Sequence, residues 1–204
     1  MFSELKLDLI DQARVFHFGT LSLTDEPART ATYQAVAYAK SHGKLITYDP
    51  NLRKSLWHSL DTAREQMLWG LSQADVVKIS DEELEFVCGM GPEEGARHIL
   101  ETYGVRLIFV TCGASGCYFK TAHACGMVPA LAGVKVIDTT GAGDVFGGSA
   151  VWKLLQAGKQ PEDLTEAELR DIVSFACTAA GLSTTRLGGI SSIPSYVEVL
   201  EHLN

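Results

Sequence analysis

The sequence predicts an α/β fold with a mainly parallel sheet, on three observations. Short apolar runs alternate with longer segments whose apolar residues recur at helical spacing, and the links between them are brief. One run, Leu107-Ile108-Phe109-Val110-Thr111, is apolar almost throughout, as a strand covered on both faces must be. Small, polar and charged residues gather directly after the runs, at Gly19-Thr20, Asp49-Asn51-Arg53, Ser80, Thr111-Gly113 and Gly141-Asp144. Ligands of open parallel sheets bind at the carboxyl ends of the strands, so this placement predicts a site as well as a fold.

Taken in order, residues 1–13 form an acidic, amphipathic lead-in. Val15-Phe16-His17-Phe18 alternates and meets Gly19, a strand ending at a turn. Pro27 to Ala39 is an Ala-rich helix closed by Ser41-His42-Gly43, with the glycine as C-cap. Lys44 to Tyr48 is a second strand, stopped by Asp49-Pro50-Asn51, and a helix follows over Asp61–Ser72. Asp75 to Ile79 is a third strand. Ser80 and Glu83 then stand at capping-box spacing, which starts the next helix. Pro92–Tyr103 reads as helix and Leu107–Thr111 as strand, with Cys117–Lys120 and Met127–Leu131 as short antiparallel edge strands. Val134-Lys135-Val136-Ile137 reads as one more strand. Helices are expected from the glycine motif after it to about Gln156, from Glu166 to about Thr184, and near Ser195–His202. No internal repeat or linker divides the chain, which reads as one domain over residues 1–204.

Composition narrows the function classes. With 17 basic and 25 acidic residues the net charge is −8, which argues against a nucleic-acid surface built from clustered Lys and Arg. No apolar run approaches the roughly 18 residues of a membrane span, and the N-terminus lacks a basic region followed by an apolar stretch. The five cysteines, Cys88, Cys112, Cys117, Cys125 and Cys177, form no Cys-x-x-Cys pair, so free thiols in a reducing cytoplasm are expected. The six histidines show no zinc-ligand spacing. No Gly-x-Gly-x-x-Gly follows a first strand, which weakens a dinucleotide oxidoreductase reading.

Asp138-Thr139-Thr140-Gly141-Ala142-Gly143-Asp144 carries the clearest chemical signal. A turn of small residues leading into a helix leaves backbone N–H groups unpaired, and the helix adds partial positive charge, so an anion is favoured there. Asp144 fits that setting either as a cap for its helix or as a base taking a proton from an attacking hydroxyl. Asp49-Pro50-Asn51-Leu52-Arg53 is turn chemistry, and Arg53 adds a guanidinium able to hold a phosphate or a sugar hydroxyl. Thr111-Cys112-Gly113-Ala114-Ser115-Gly116 is a hairpin turn or a loop that a flat or anionic ligand can approach. Phe175 to Gly181 is a small-residue helix face, suited to close packing or to an adenine wall.

Together these blocks resemble the ribokinase-like (PfkB) sugar kinases, and most of all their fructokinase branch. Asp138 to Asp144 with Phe146-Gly147-Gly148 matches the family's C-terminal signature. Asp49 to Arg53 with Leu56-Trp57, Val77 to Leu84, and Val110 to Gly113 fall in the family's order and spacing. The resemblance covers essentially the whole chain. It implies a three-layer αβα fold and transfer of the γ-phosphoryl of ATP to a sugar hydroxyl. Asp144 would be the base, and Gly141, Ala142 and Gly143 would offer N–H groups to the transferring phosphoryl. Asn51 and Arg53 would hold substrate or phosphate. Ser80, Thr111, Gly113, Ser115, Gly116, Gly143 and Cys177 would line the nucleotide, Cys177 standing where relatives often carry Asn. Glu83 matches the family's Asn-x-x-Glu pair and implies indirect support of magnesium; Ser80 departs from its Asn, so capping competes with that role. A monovalent cation such as potassium would lie by Asp138, Thr140, Ser183, Arg186, Gly188 and Ser192. Nothing in residues 1–30 resembles the first strand, glycine-rich sugar region and β lid of the family. The chain thus resembles the C-terminal two-thirds of such a kinase, with self-association or pairing with an N-terminal segment as an expectation. The alternative is a nucleotide-binding remnant or regulatory module without turnover.

Overall fold

The computed structural model describes residues 4–203 and divides into two compact units, Met1–Ile108 and Phe109–Asn204. The first unit holds α1 (Leu7–Gln12), β1 (Val15–Gly19), α2 (Ala28–Ser41), β2 (Leu45–Asp49), α3 (Leu60–Gln73), β3 (Val76–Ser80), α4 (Asp81–Cys88) and α5 (Pro92–Tyr103), with the start of β4 (Leu107–Thr111). Strands β1, β2 and β3 lie side by side and run parallel, with Val15 opposite Leu45, Gly19 opposite Asp49, and Thr47 opposite Val76. Parallel strands need crossovers, and α2 and α3 supply them. Only residues 1–3 of the predicted lead-in lie outside the described residues; the rest of it carries α1.

The helix ends follow the local chemistry. Ser59 caps α3 by accepting the Thr62 amide, and Ser80 and Glu83 close a full capping box on α4. Gly89 and Gly104 end α4 and α5 in the left-handed conformation. Inside, Phe18 stacks on Tyr48 at 4.7 Å and meets the edge of Trp69, while Leu23, Trp57 and Ala63 bury a second cluster with Tyr33 and Phe86. Gly70 is required for space: a Cβ there would lie 2.3 Å from the Tyr48 ring.

The second unit carries the end of β4, β5 (Cys117–Lys120), β6 (Cys125–Val128), α6 (Ala142–Ala157), α7 (Glu166–Ser183) and α8 (Tyr196–Glu201). Its strand order is β4-β5-β6, and β5 pairs with β6 antiparallel, Cys117 opposite Val128 and Lys120 opposite Cys125. Phe109 meets the Phe146 edge at 5.9 Å, and Val145, Phe175, Ala179, Leu182 and Val199 form the helical core.

Two predicted strands need correction. The second hairpin strand begins at Cys125 and stops at Val128, not Leu131, because Pro129 has no N–H to continue the ladder. Buried Thr121 sets the tight turn before it, its hydroxyl oxygen accepting the amides of His123 and Ala124. Val134 to Ile137 forms no strand. Its end is tied only where the amides of Ile137 and Asp138 both reach the Thr184 carbonyl, and Val136 and Ile137 stay more than half exposed. Alternating apolar character makes a strand only where a neighbour supplies the ladder.

Candidate functional site

The predicted site residues fall on both units, and each unit assembles its own share. In the first, β1, β2 and β3 end side by side. Asn51, just past β2, takes a positive φ of 48°, which turns the chain sharply after Pro50. Gly19 sits against this turn, since a Cβ there would approach the Asp49 carbonyl to 2.8 Å. The Thr20 amide donates to the Pro50 carbonyl at 3.2 Å, and its hydroxyl reaches the same oxygen. Glu83 holds the turn from the other side. One carboxylate oxygen accepts the Leu52 amide at 2.6 Å and the other accepts the Ser80 amide at 2.9 Å. Ser80 and Glu83 thus close the capping box and tie the Asn51 turn to the start of α4. Arg53 is exposed and makes only a 3.5 Å contact with the Leu52 carbonyl.

Beneath this turn lies a pair that the sequence reading did not single out. Lys78 donates to Asp49 at 3.0 Å, and both side chains are at least 86% buried. Among the described residues, the second Asp49 oxygen is buried without a hydrogen-bond partner. Burial pushes the Asp49 carboxyl up, Lys78 pulling it part of the way back. The available signal was a lysine inside the apolar strand Val76-Val77-Lys78-Ile79.

In the second unit the Asp138 to Asp144 turn is fixed by Asp138. One of its oxygens accepts the Thr140 amide and the other the Gly188 amide, each at 2.9 Å. These bonds, led by that of the Thr140 hydroxyl, hold the Asp138 carboxyl below its ordinary range. Gly141 follows at φ 80° and lies so near Gly189 that a Cβ would come to 3.3 Å of its Cα. Gly141 is also the N-cap of α6, with no side-chain cap bond. Asp144, exposed in the first turn, therefore does not cap its helix. The Ala142 amide, predicted as a phosphoryl donor, donates instead to the Thr139 carbonyl. Among the described residues, the amides of Gly143 and Asp144 meet no backbone carbonyl and are the free donors of this helix start.

Asp144 lines a cavity of about 580 Å³ together with Gly141, Gly148, Trp152, Gly189 and Tyr196. Around it, Ser183 donates its hydroxyl to the Ala180 carbonyl and Ser192 to the Gly189 carbonyl, both at 2.8 Å. Arg186 turns to Glu198. The Thr111 loop is a tight turn, the Cys112 amide donating to the Gly116 carbonyl at 2.8 Å, and Gly116 is compulsory because a Cβ would fall 2.0 Å from the Val128 carbonyl. Gly113 and Ser115 are exposed in it. Cys177 is buried in α7, and its thiol is pushed up to about 12 by desolvation. All five cysteines are free thiols. Among the described residues, no group of three or more His, Cys, Asp or Glu side chains can hold a metal ion, and no helix is long and apolar enough to cross a membrane.

The Arg186–Glu198 pair gives a pH prediction. Glu198 is held at about 2, against an ordinary value of 4.5, chiefly by Arg186 and then by the Ser195 amide. Its contribution to stability is therefore complete above about 4.5 and is lost as the pH falls toward 2. Between pH 5 and 3 the melting temperature of the parent chain should drop more steeply than that of Glu198→Gln; parallel slopes would rule the pair out as an acid-sensitive contact.

Comparison with known proteins places the chain in a family. The profile of the pfkB family carbohydrate kinases matches residues 2–196. The chain belongs to that family. It is 40% identical over 200 residues to Fructokinase-2 of Solanum lycopersicum, covering 97% of this chain and 60% of that protein. Among solved structures, the fructokinase of Vibrio cholerae O395, in fructose, ADP and calcium ion bound form, superposes with a TM-score of 0.84 at 32% identity, over 93% of this chain and 60% of that one. The ATP-bound fructokinase of Xylella fastidiosa gives 0.83 at 28% identity, over 99% and 65%. The fold of this pfkB chain is thus ribokinase-like α/β, as predicted, and it spans about three-fifths of the length of its relatives.

Proposed function

We propose that this chain carries the phosphoryl-handling part of an ATP-dependent sugar kinase, with fructose as the first substrate to test. One observation carries the reading: Asp144 is exposed at the first turn of α6, does not cap it, and stands beside the unpaired amides of Gly143 and Asp144 itself. In this reading the Asp144 carboxylate accepts the proton of the sugar hydroxyl while the freed oxygen attacks the γ-phosphorus and ADP leaves. The two amides stabilise charge on the transferring group, the effect on which phosphoryl transfer chiefly depends. In the second unit Thr111, Gly113, Ser115, Gly116, Gly143 and Cys177 would contact the nucleotide; in the first, Asn51 and Arg53 would hold substrate or phosphate and Ser80 would serve the nucleotide. Glu83 supports magnesium through water, as hard cations that keep part of their hydration allow. A potassium ion fits the Asp138 turn, its ligands the Asp138 carboxylate and carbonyls near Thr140, Ser183, Arg186, Gly188 and Ser192. A cytoplasmic setting suits five free thiols.

Because the chain spans three-fifths of its relatives, a module that holds ATP without turnover is the second reading. Two measurements separate them. ATP at a hundred times its Kd should stabilise the chain by about 2.7 kcal/mol, raising the melting temperature by about 5–10 °C. Fructose phosphate should then form when the portion missing from the match is supplied. A thermal shift without product under either condition favours the holding module; no shift removes both readings.

A further inference from the structure

We propose that Arg170 is a positioning residue for the nucleotide: acting through the backbone of β6, it sets where the Thr111–Gly116 turn lies against the face of α7 that carries Cys177. This role rests on the nucleotide reading of that turn and of Cys177, and every group it uses belongs to the second unit.

Arg170 is exposed near the start of α7, yet its guanidinium is held on three sides. Nε and Nη2 both meet one Glu166 oxygen at 2.8 Å, one turn back on the helix, and Nη1 donates to the Met127 carbonyl at 3.0 Å. Cζ lies 5.8 Å from the centre of the buried Phe119 ring. β6 carries no side chain where the guanidinium passes: a Cβ at Gly126 would come to 2.7 Å of Arg170 Nη2 and 2.9 Å of the Phe119 ring. Exposed arginines commonly make loose surface pairs. This one is aimed at a main-chain oxygen by a carboxylate and seated on an aromatic ring.

The chain that leaves β6 is held a second time. Further along α7, Gly181 has no room for a side chain, because a Cβ there would fall 2.7 Å from the Leu131 Cβ. Between the two holds lie Val128, Pro129 and Ala130, and the nucleotide turn rests on them. A Cβ at Gly116 would meet the Pro129 carbonyl carbon and the Ala130 nitrogen at 2.7 Å, besides the Val128 carbonyl. At roughly 100° per residue, Arg170, Cys177 and Gly181 fall within roughly 40° of one another, on one face of α7. Cys177 is thus set between the two holds, on the helix face that meets the hairpin. Releasing Met127 would shift residues 128–130, and with them the turn, relative to Cys177. A site with walls on two elements loses affinity when their spacing drifts.

The test compares the parent chain with Arg170→Met, which keeps an apolar stem but loses the donors, and with Arg170→Lys, which keeps a donor for the Met127 carbonyl. ATP affinity is measured by calorimetry well below the melting temperature, and amide hydrogen exchange is followed without ligand. Arg170→Met should bind ATP about tenfold more weakly, and Arg170→Lys should recover most of that loss. Exchange in Arg170→Met should quicken at residues 111–116 and 127–131 and keep the parent rate in α6. Melting should stay within about 4 °C of the parent, as befits an exposed pair, so a merely structural contact would leave ATP affinity unchanged. Equal ATP affinity of parent and Arg170→Met, or exchange that quickens throughout the second unit, would overturn the role of Arg170 and leave the nucleotide reading standing. A parent chain that binds no ATP would remove the nucleotide reading itself, and the role of Arg170 with it.

Discussion

Asp144→Asn should reduce phosphoryl transfer by 10²–10⁴-fold in the catalytically complete assembly while leaving the ATP-induced thermal shift within about a degree of the parent value. The substitution keeps the shape and the first-turn position but removes the proton acceptor. Since Gly141 supplies the N-cap and no cap bond comes from Asp144, helix α6 loses no hydrogen bond by it. That separation makes the experiment informative. A base is indispensable to turnover and dispensable to folding; a helix-stabilising carboxylate would show the opposite pattern. Activity within a few-fold of the parent would exclude Asp144 as the base, and a lost thermal shift would move its role to nucleotide binding.

Lys78→Met should destabilise the first unit by about 3–5 kcal/mol, the usual cost of leaving one member of a buried pair uncompensated. The Asp49 side chain is only 10% exposed, and its second oxygen already has no partner, so nothing in place can replace the ammonium. The variant should also respond to acid in a telling direction. Burial already raises the Asp49 carboxyl above its ordinary value, and without Lys78 it rises further. An acid with a raised folded-state value is penalised above that value and relieved below it, so Lys78→Met should recover stability relative to the parent as the pH falls through this range. The double variant Asp49→Leu/Lys78→Met should regain most of the loss, because an apolar pair of similar size needs no mutual compensation. A loss under 1 kcal/mol for Lys78→Met, measured by denaturant unfolding, would mean that water reaches the pair.

Most of the fold was legible because its elements carry local signals. β1 to β5 and α2 to α8 lie within a few residues of their predicted bounds, where apolar period and punctuation agree, as with the Ser80–Glu83 capping box and Gly43 after α2. Val134–Ile137 shows the limit. Its residue types suit a strand, yet strand formation is a property of the neighbour as much as of the segment. The β6 bounds were missed for a related reason, since buried Thr121 and its two amide partners set the turn through contacts no periodicity records. At the site, the glycine turn, Asp138 and Asp144 were legible as a block. The spending of the Ala142 amide on Thr139, the Asp49–Lys78 pair and the Arg170–Met127 contact each depend on which groups meet across the fold.

The two-handed grip of Asp138 has a consequence for the chain as a polymer. By holding Thr140 next door and Gly188 fifty residues on, it closes a ring that contains both α6 and α7. Closing a ring of that length costs several times RT in chain entropy, growing only as the logarithm of its size. The packed α6–α7 pair meets that cost in advance, so the carboxylate acts as a clasp that is nearly free to fasten once the helices are in place. Order at the glycine turn is then inherited from helix packing far from it, and loosening α7 would blur the position of Asp144 without touching a single residue of the motif.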